Sequence, residues 1–161
     1  VRLIKKLLKA DEELKAYQDK VKEIRVGSVD AFQGMEFDVI YLSVVRTNKK
    51  EPMYTDPKLK KQIPVDFSAL NQNELELEND KKALKKYRDY KEQVGLQNYG
   101  FLISENRLCV SLSRQKKLLI VVGDRNIFSA GKWDKLAEVC VHGMWKLLKL
   151  CEREGVIVDG T

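Results

Sequence analysis

The sequence predicts an α/β protein with a parallel sheet, and two observations lead to that prediction. Two short apolar runs rich in β-branched residues, Ile24 to Val29 and Val39 to Val45, follow each other closely, as expected for central strands covered on both faces. Helical patterns precede and follow them, and a third apolar run, Leu118 to Val122, comes after a helix. Alternation of helices and strands is typical of parallel sheets.

The N-terminal segment predicts an amphipathic helix. Apolar residues recur at mostly helical spacing between residues 2 and 22, at Leu3, Ile4, Leu7, Leu8, Leu14 and Val21. We expect one helix, or two segments broken near Asp11, packed on the sheet. The pattern begins without an initiator Met or a cap, which favours a fragment of a longer protein.

Residues 47–100 form an insertion in the α/β pattern. Three prolines and a Lys-rich, highly charged stretch replace the β-branched runs. A thin apolar stripe at Leu77, Leu84, Tyr87 and Val94 predicts a solvated helix or helical hairpin after about Asn73, preceded by an irregular arm. We treat residues 1–161 as a single domain that contains this partly helical insertion.

The α/β pattern then resumes. It predicts a helix from Glu105 to Gln115, the strand Leu118 to Val122 and a last amphipathic helix from Trp133 to Glu154. The final segment, VIVDG, either adds a short strand or frays.

Composition narrows the function classes. The 161 residues carry a formal net charge of +6 and 43% hydrophobic residues, which suits one domain with a real core and admits polyanions as partners. No apolar run approaches the ~18 residues of a membrane span. Three widely spaced cysteines and one histidine do not make a zinc site, so we expect no metal ligands, buried reduced cysteines and a cytoplasmic or nuclear protein.

The loop from residue 30 to 38 is unusually polar for a connection between two apolar runs. It is expected at the carboxyl end of a strand, where ligands of parallel sheets gather. Gln33 offers donors and an acceptor, Gly34 permits close backbone approach, and Glu36 can accept from two hydroxyls, as a ribose requires. A purely structural explanation, with Asp30 and Asp38 as caps or turn formers, remains open.

A second polar constellation lies at residues 106–114. Arg107, Ser111 and Arg114 fall at i, i+4 and i+7, which predicts one helix face opposite Leu108 and Leu112. Guanidinium groups on such a face suit a chain of phosphates. A merely solvated basic face is the alternative.

Together, VGSVDAFQGMEFDVIYLSVVR and GFLISENRLCVSLSRQKKLLIVVGD resemble the fifth and sixth motifs of superfamily 1 helicases, in the branch of the up-frameshift helicases and their DNA-processing relatives. The resemblance runs from about Val21 to Gly123, with the insertion excluded. It implies a second RecA-like motor domain, with a three-layer parallel sheet of the P-loop NTPase type. Such a domain closes over ATP and Mg²⁺ held mainly by the first RecA-like domain of the same parent chain, and it grips single-stranded or partly duplex nucleic acid.

The resemblance also implies roles for individual residues. Arg114 matches the arginine finger, the catalytic group on the γ-phosphate, and Glu36 matches the carboxylate that holds the ribose. Gln33 and Gly34 match the linkage between nucleotide and nucleic-acid sites. The expected nucleic-acid contacts are Ser28, Asp30, Arg107 and Ser111.

Some residues depart from the family pattern. Cys109-Val110-Ser111-Leu112-Ser113 replaces Asn-Val-Ala-Leu-Thr, and Met35 and Gln115 also differ from the usual residues. The phosphate-binding loop G-x-x-x-x-G-K-[ST] is absent, so we expect the chain alone to be inactive as an ATPase.

Two other functions remain open. One is a nucleic-acid-binding module without motor activity that uses the Lys-rich insertion, and the other is an α/β domain that binds a mononucleotide for unrelated chemistry. The insertion itself could be a solvated spacer, a clamp on a strand or a contact for a partner protein.

Overall fold

The computed structural model describes residues 2–15, 24–44 and 51–159. The helices in these ranges are α1 Arg2–Ala10, α2 Glu12–Lys15, α3 Phe67–Leu70, α4 Glu74–Leu77, α5 Lys81–Tyr99, α6 Glu105–Leu112, α7 Asn126–Ser129, α8 Lys132–Cys140 and α9 His142–Glu154. The strands are β1 Phe37–Val44, β2 Met53–Asp56, β3 Lys61–Pro64 and β4 Gln115–Gly123. Two 3₁₀ helices span Val29–Phe32 and Gly100–Ile103. None of the described helices has the length and apolar content needed to cross a bilayer.

The sheet that the sequence predicts is present as a parallel pair of β1 and β4. Val39 lies opposite Leu118 and Val44 lies opposite Gly123. Glycine suits the last position, because a Cβ on Gly123 would lie 3.0 Å from the Cβ of Val44. The mixed architecture confirms the α/β prediction and is that of a partial RecA-like domain. The expected cover on both faces is not observed in the described residues, since Tyr41 is 73% exposed.

The predicted strand from Ile24 to Val29 is wrong. Residues 24–28 have no regular secondary structure, and Val29 already begins a 3₁₀ helix. The amide of Ala31 donates to the carbonyl of Ser28 at 3.0 Å, so the chain turns at the point where a strand would have to continue. An apolar run without a paired neighbour cannot form a ladder.

The N-terminal segment forms two helices separated at Asp11, which is the second of the two predicted alternatives. The expected packing of α1 on the sheet is wrong, because Leu3 is 66% exposed and Leu7 is 59% exposed. Val21 and its neighbours from 16 to 23 lie outside the described residues, as do residues 45–50 at the end of the predicted strand.

Residues 51–99 are more ordered than the sequence suggests. The expected irregular arm contains the antiparallel hairpin β2–β3, and the expected helix is present as α5. That helix is not solvated throughout, because Val94 and Tyr99 are fully buried. The Tyr99 hydroxyl donates to the carbonyl of Ile127 at 2.9 Å, and its ring packs against Phe128 and Trp133. The core therefore joins the end of α5 to the C-terminal helices.

The predicted last helix is two helices. Val141, with φ −137° and ψ 47°, separates α8 from α9 and is buried. The next turn packs tightly on α6, since a Cβ on Gly143 would lie 2.6 Å from Leu108. Residues 156–159 have no regular secondary structure.

The cysteines are less buried than predicted. Cys109 is exposed, because α6 turns that position outward, while Cys140 and Cys151 are half-buried. Burial raises the pKa of the Cys140 thiol to about 11, so this group is a protonated, inert thiol at neutral pH.

Candidate functional site

The polar loop of residues 28–36 is built around a tight turn. Gln33 has φ −60° and ψ 130°, Gly34 has φ 78°, and the amide of Met35 donates to the carbonyl of Phe32 at 3.1 Å. These are the features of a type II β-turn, whose third position requires a positive φ and therefore favours glycine. A Cβ on Gly34 would meet no atom within 4 Å, so the open space beside the turn is accessible to a ligand.

The loop meets the second polar constellation at the amino ends of β1 and β4. The amide of Phe37 donates to the carbonyl of Arg114 at 2.9 Å, and Phe37 pairs with Gln115. Glu36 and Arg114 each immediately precede one of the two paired strands, so they lie at the same edge. The expectation that this loop leaves the carboxyl end of a strand is wrong, because the strand predicted before it does not form.

Three ion pairs connect the loop and β1 to α6 and β4. Asp30 pairs with Arg107 at 3.3 Å and Glu36 pairs with Lys116 at 3.5 Å. The third pair joins Asp38 to Lys117 at 2.7 Å, and the hydrogen bond from Lys117 holds the pKa of Asp38 below its usual value. All three pairs are exposed, so they contribute little to stability and can open for a ligand.

Arg114 lies beyond the end of α6. The helix ends at Leu112, so the predicted helix face shared by Arg107, Ser111 and Arg114 is wrong for Arg114. Its guanidinium donates to the Ser113 hydroxyl through Nε at 3.3 Å and Nη2 at 2.9 Å. No described carboxylate lies within ion-pair distance of Arg114, in contrast to Arg107 and Lys116. Most of its donor fork is therefore available to an anion.

The remaining predicted residues differ in accessibility. Ser28, Asp30 and Gln33 are exposed, whereas Ser111 is 8% exposed and its hydroxyl donates to the carbonyl of Arg107 at 2.8 Å. In the described structure the Ser111 hydroxyl is therefore engaged in a hydrogen bond within α6. Its predicted contact with nucleic acid stays a prediction.

Sequence reasoning missed two parts of this edge. The sequence motifs do not single out Lys116 and Lys117 as site residues. The run Gln115-Lys116-Lys117, directly after Arg114, is the feature of the sequence that could have indicated them. The side-chain amide of Gln115 donates to Leu112 at 2.8 Å, but its buried oxygen Oε1 accepts no hydrogen bond. That oxygen is an unsatisfied acceptor one residue from Arg114.

The side chains at this edge can hydrogen-bond to the phosphate and ribose groups of a nucleotide. Arg114 offers planar donors for phosphate oxygens, and Glu36 offers acceptors for ribose hydroxyls. No group of three or more His, Cys, Asp or Glu side chains that could hold a metal ion occurs among the described residues. The described residues at this edge thus suit phosphate oxygens and ribose hydroxyls.

Comparisons with known proteins also relate the chain to helicases. The family model described as "AAA domain" matches residues 1–126. The chain is 29% identical over 143 residues to "Putative helicase mov-10-B.1" and 27% identical over 143 residues to "Putative helicase mov-10-B.2", both from Danio rerio. Each alignment covers 88% of this chain and 10% of the relative, so the chain spans about a tenth of the length of these curated relatives. No solved structure matches the chain significantly.

Proposed function

The chain belongs to the AAA domain family, and from that premise we propose that it is the second motor domain of an ATP-dependent nucleic-acid helicase or translocase. The motifs, the parallel sheet and the family are those of a helicase-related domain of superfamily 1 type. The finer proposal is that this domain supplies an arginine finger and part of the grip on a single strand. ATP and its Mg²⁺ would be held mainly by a first motor domain of the same protein.

One observation carries the proposal. The hydrogen bond from Phe37 to the carbonyl of Arg114 fixes the two motifs at one edge of the sheet, with Glu36 directly before β1 and Arg114, whose guanidinium pairs with no described carboxylate, directly before β4. An arginine finger must be a planar donor that is always charged, because negative charge spreads over the γ-phosphate oxygens in the transition state. ATP bound across the two domains would supply the phosphoryl group that is transferred to water.

Glu36 would exchange partners when the nucleotide binds. In the described structure its carboxylate pairs with Lys116 at 3.5 Å, and both side chains are more than half exposed. Opening this pair costs little, because exposed ion pairs are weak. The carboxylate can then accept from ribose hydroxyls, while Lys116 is released toward the phosphates.

The turn at Gln33 and Gly34 would connect the nucleotide edge to the strand. Gly34 fixes the direction of the loop between Asp30 and Glu36, and Asp30 is paired with Arg107 on α6. Because Ser28, Asp30 and Arg107 lie on one side of this turn and Glu36 on the other, movement of the domain on ATP would move both groups together. Such coupled closure is the physical basis of stepwise translocation.

Substitution of Arg114 tests the proposal in a protein that carries both motor domains. Arg114→Ala should lower the turnover number of nucleic-acid-stimulated ATP hydrolysis by ~10³-fold or more, since fingers contribute about that much. Arg114→Lys should not restore it, because the ammonium lacks the planar fork. Arg125→Ala is the matched control, since Arg125 is exposed and pairs with Asp159 at 3.5 Å. Wild-type turnover in Arg114→Ala would contradict the assignment.

A nucleic-acid-binding module without motor activity remains the second candidate. The replacement of the family's Asn-Val-Ala-Leu-Thr by residues 109–113 favours it, and so does the burial of Ser111. In that case the Arg114 variants would bind a single strand as the wild type does, and no form of the two-domain protein would hydrolyse ATP.

A further inference from the structure

A groove of about 790 Å³ lies between the hairpin β2–β3 and the helix α5, away from the edge that carries Arg114. Four exposed lysines line it, Lys58 from the hairpin turn and Lys82, Lys85 and Lys86 from the first turns of the helix. We call this feature the lysine groove. Lysines separated by more than 20 positions along the chain thus share one concave surface.

The two walls of the lysine groove are fixed to each other. The amide of Thr55 donates to the Gln97 side chain at 2.7 Å, and that side chain donates back to the carbonyl of Thr55 at 3.2 Å. Asn98 donates to the carbonyl of Met53 at 2.9 Å, and the ring of Tyr54 packs edge-on against Tyr90. The hairpin is therefore held on α5, and a ligand would meet a preformed surface, which lowers the entropic cost of binding.

The four ammonium groups have no carboxylate within ion-pair distance among the described residues. Three carboxylates line the same groove, but two are already engaged by the backbone. Asp56 accepts from the amides of Lys58 and Leu59, and Asp66 accepts from the first turn of α3. All three carboxylates keep their charge, so the groove lining carries four lysines against three aspartates, and no described backbone group fixes Asp89.

This arrangement of lysines is unfavourable for the helix itself. Like charges repel at i and i+4 in two pairs, Lys81 with Lys85 and Lys82 with Lys86. These four helix lysines also add positive charge at the positive end of the helix dipole. Asp80 at the N-cap offsets only part of this unfavourable charge, by accepting hydrogen bonds from the amides of Lys82 and Ala83. Residues 47–100 carry eleven Lys and Arg against nine Asp and Glu, and four of those eleven basic residues line the groove. A local pattern that weakens its own element marks a candidate functional surface.

We propose that the lysine groove binds the phosphate backbone of a single-stranded nucleic acid, as a contact additional to the motor motifs. The choice of substrate rests on the proposed function, and the groove adds a site that the helicase motifs do not include. Three tyrosines also line it, but Tyr54 and Tyr87 are buried and Tyr90 is half-buried against Tyr54, so no fully exposed ring is offered for base stacking there. Binding is therefore electrostatic and independent of base sequence.

Charge removal tests the lysine groove on the 161-residue chain. The groove variant carries Lys58→Gln, Lys82→Gln, Lys85→Gln and Lys86→Gln, and the control carries Lys5→Gln, Lys9→Gln, Lys135→Gln and Lys146→Gln at exposed positions elsewhere. Binding of a fluorescent oligouridylate of about 20 nucleotides is measured by anisotropy over a range of salt concentrations. Each lost phosphate contact lowers the slope of log K against log salt by about 0.7, so the groove variant should lose about 2 to 3 units.

The control separates a site from general charge. It removes the same four charges, so an equal loss of slope in both variants would overturn the proposal, as would an unchanged slope in the groove variant. Far-UV circular dichroism and the urea midpoint confirm that both variants fold, which is expected because all eight side chains are exposed. If the groove variant keeps oligouridylate binding but loses binding of an oligoglutamate probe, the groove serves an acidic protein and the proposal is wrong.

Failure of the groove and failure of the motor assignment have different signatures. In a protein with both motor domains, the groove variant should keep the turnover number of ATP hydrolysis and need a higher nucleic-acid concentration for half-maximal stimulation. Arg114→Ala should lose turnover and keep the salt slope. A groove variant that needs no more nucleic acid than the wild type contradicts the groove proposal alone.

Discussion

Gly34→Ala is the substitution whose cost follows most directly from the structure. Gly34 has φ 78°, and an added Cβ would meet nothing within 4 Å, so steric contact with neighbouring residues contributes nothing. The whole penalty is the cost of placing an L-residue in the left-handed region, about 1–2 kcal/mol. We expect the free energy of unfolding to fall by that amount.

The assay is urea unfolding of the 161-residue chain, followed by far-UV circular dichroism. With a slope of about 1–3 kcal/mol/M, the midpoint should fall by roughly 0.3–2 M while the slope stays unchanged. Gly34→Asn is the matched control, because asparagine tolerates a positive φ better than alanine, and it should lose less. An unchanged midpoint in Gly34→Ala, or a larger loss in Gly34→Asn, would refute the assignment of a type II turn.

Three further predictions concern the parts of the fold that hold the site. Tyr99→Phe leaves the carbonyls of Ile127 and Trp133 without the hydroxyl donor and should cost about 1–3 kcal/mol in urea unfolding; an unchanged midpoint would contradict the burial of that hydrogen bond. In Gly143→Ala the new Cβ would lie 2.6 Å from Leu108 and would force that side chain to move. We expect this substitution to lower the free energy of unfolding more than Gly131→Ala does, because only the backbone conformation contributes at Gly131. Equal or reversed losses would argue against close contact of α9 with α6. Glu74 has its pKa lowered, chiefly by the hydrogen bond from Arg88, so its contribution to stability is present above its unfolded pKa and is lost as the pH falls through the folded one. Glu74→Gln should therefore flatten stability against pH on the acid side only, and an unaltered acid limb would contradict this.

The sequence correctly predicts the two strands that pair with each other. It fails for an apolar run whose pairing partner the sequence does not specify. Val39 to Val45 and Leu118 to Val122 are apolar runs that find each other, and β1 and β4 form as expected. Ile24 to Val29 is also rich in β-branched residues, but the turn that starts at Ser28 interrupts it. Composition reports that a segment can be buried and does not report what would pair with it.

The helices show a similar limit. The charges of α5 hide its burial, because Tyr99 contacts residues more than 25 positions away in the C-terminal part of the chain and Val94 lies in the same core. The break at Val141 is masked because apolar residues at helical spacing continue across it, from Val139 and Cys140 to Met144 and Trp145. Gly143, two positions later, was the available signal, since its lack of a side chain admits Leu108.

The sequence selects Glu36 and Arg114 as candidate site residues but does not predict where the structure places them. The motif residues Glu36 and Arg114 lie at one edge of the sheet, but at the amino ends of the strands. The length of α6 could not be predicted to the residue, so Arg114 was placed on a helix that ends two positions earlier. Lys116 pairs with Glu36, and the sequence pattern does not distinguish it from the other lysines of the chain.

The central claim is that this chain holds half of an ATP site. The most direct measurement is ATP hydrolysis, with single-stranded nucleic acid present, by the 161-residue chain, by the first motor domain and by the two joined in one protein. The account predicts stimulated turnover only in the joined protein, and loss of that turnover when Arg114 is alanine. Hydrolysis by the 161-residue chain alone, or full turnover by the first motor domain alone, would contradict it.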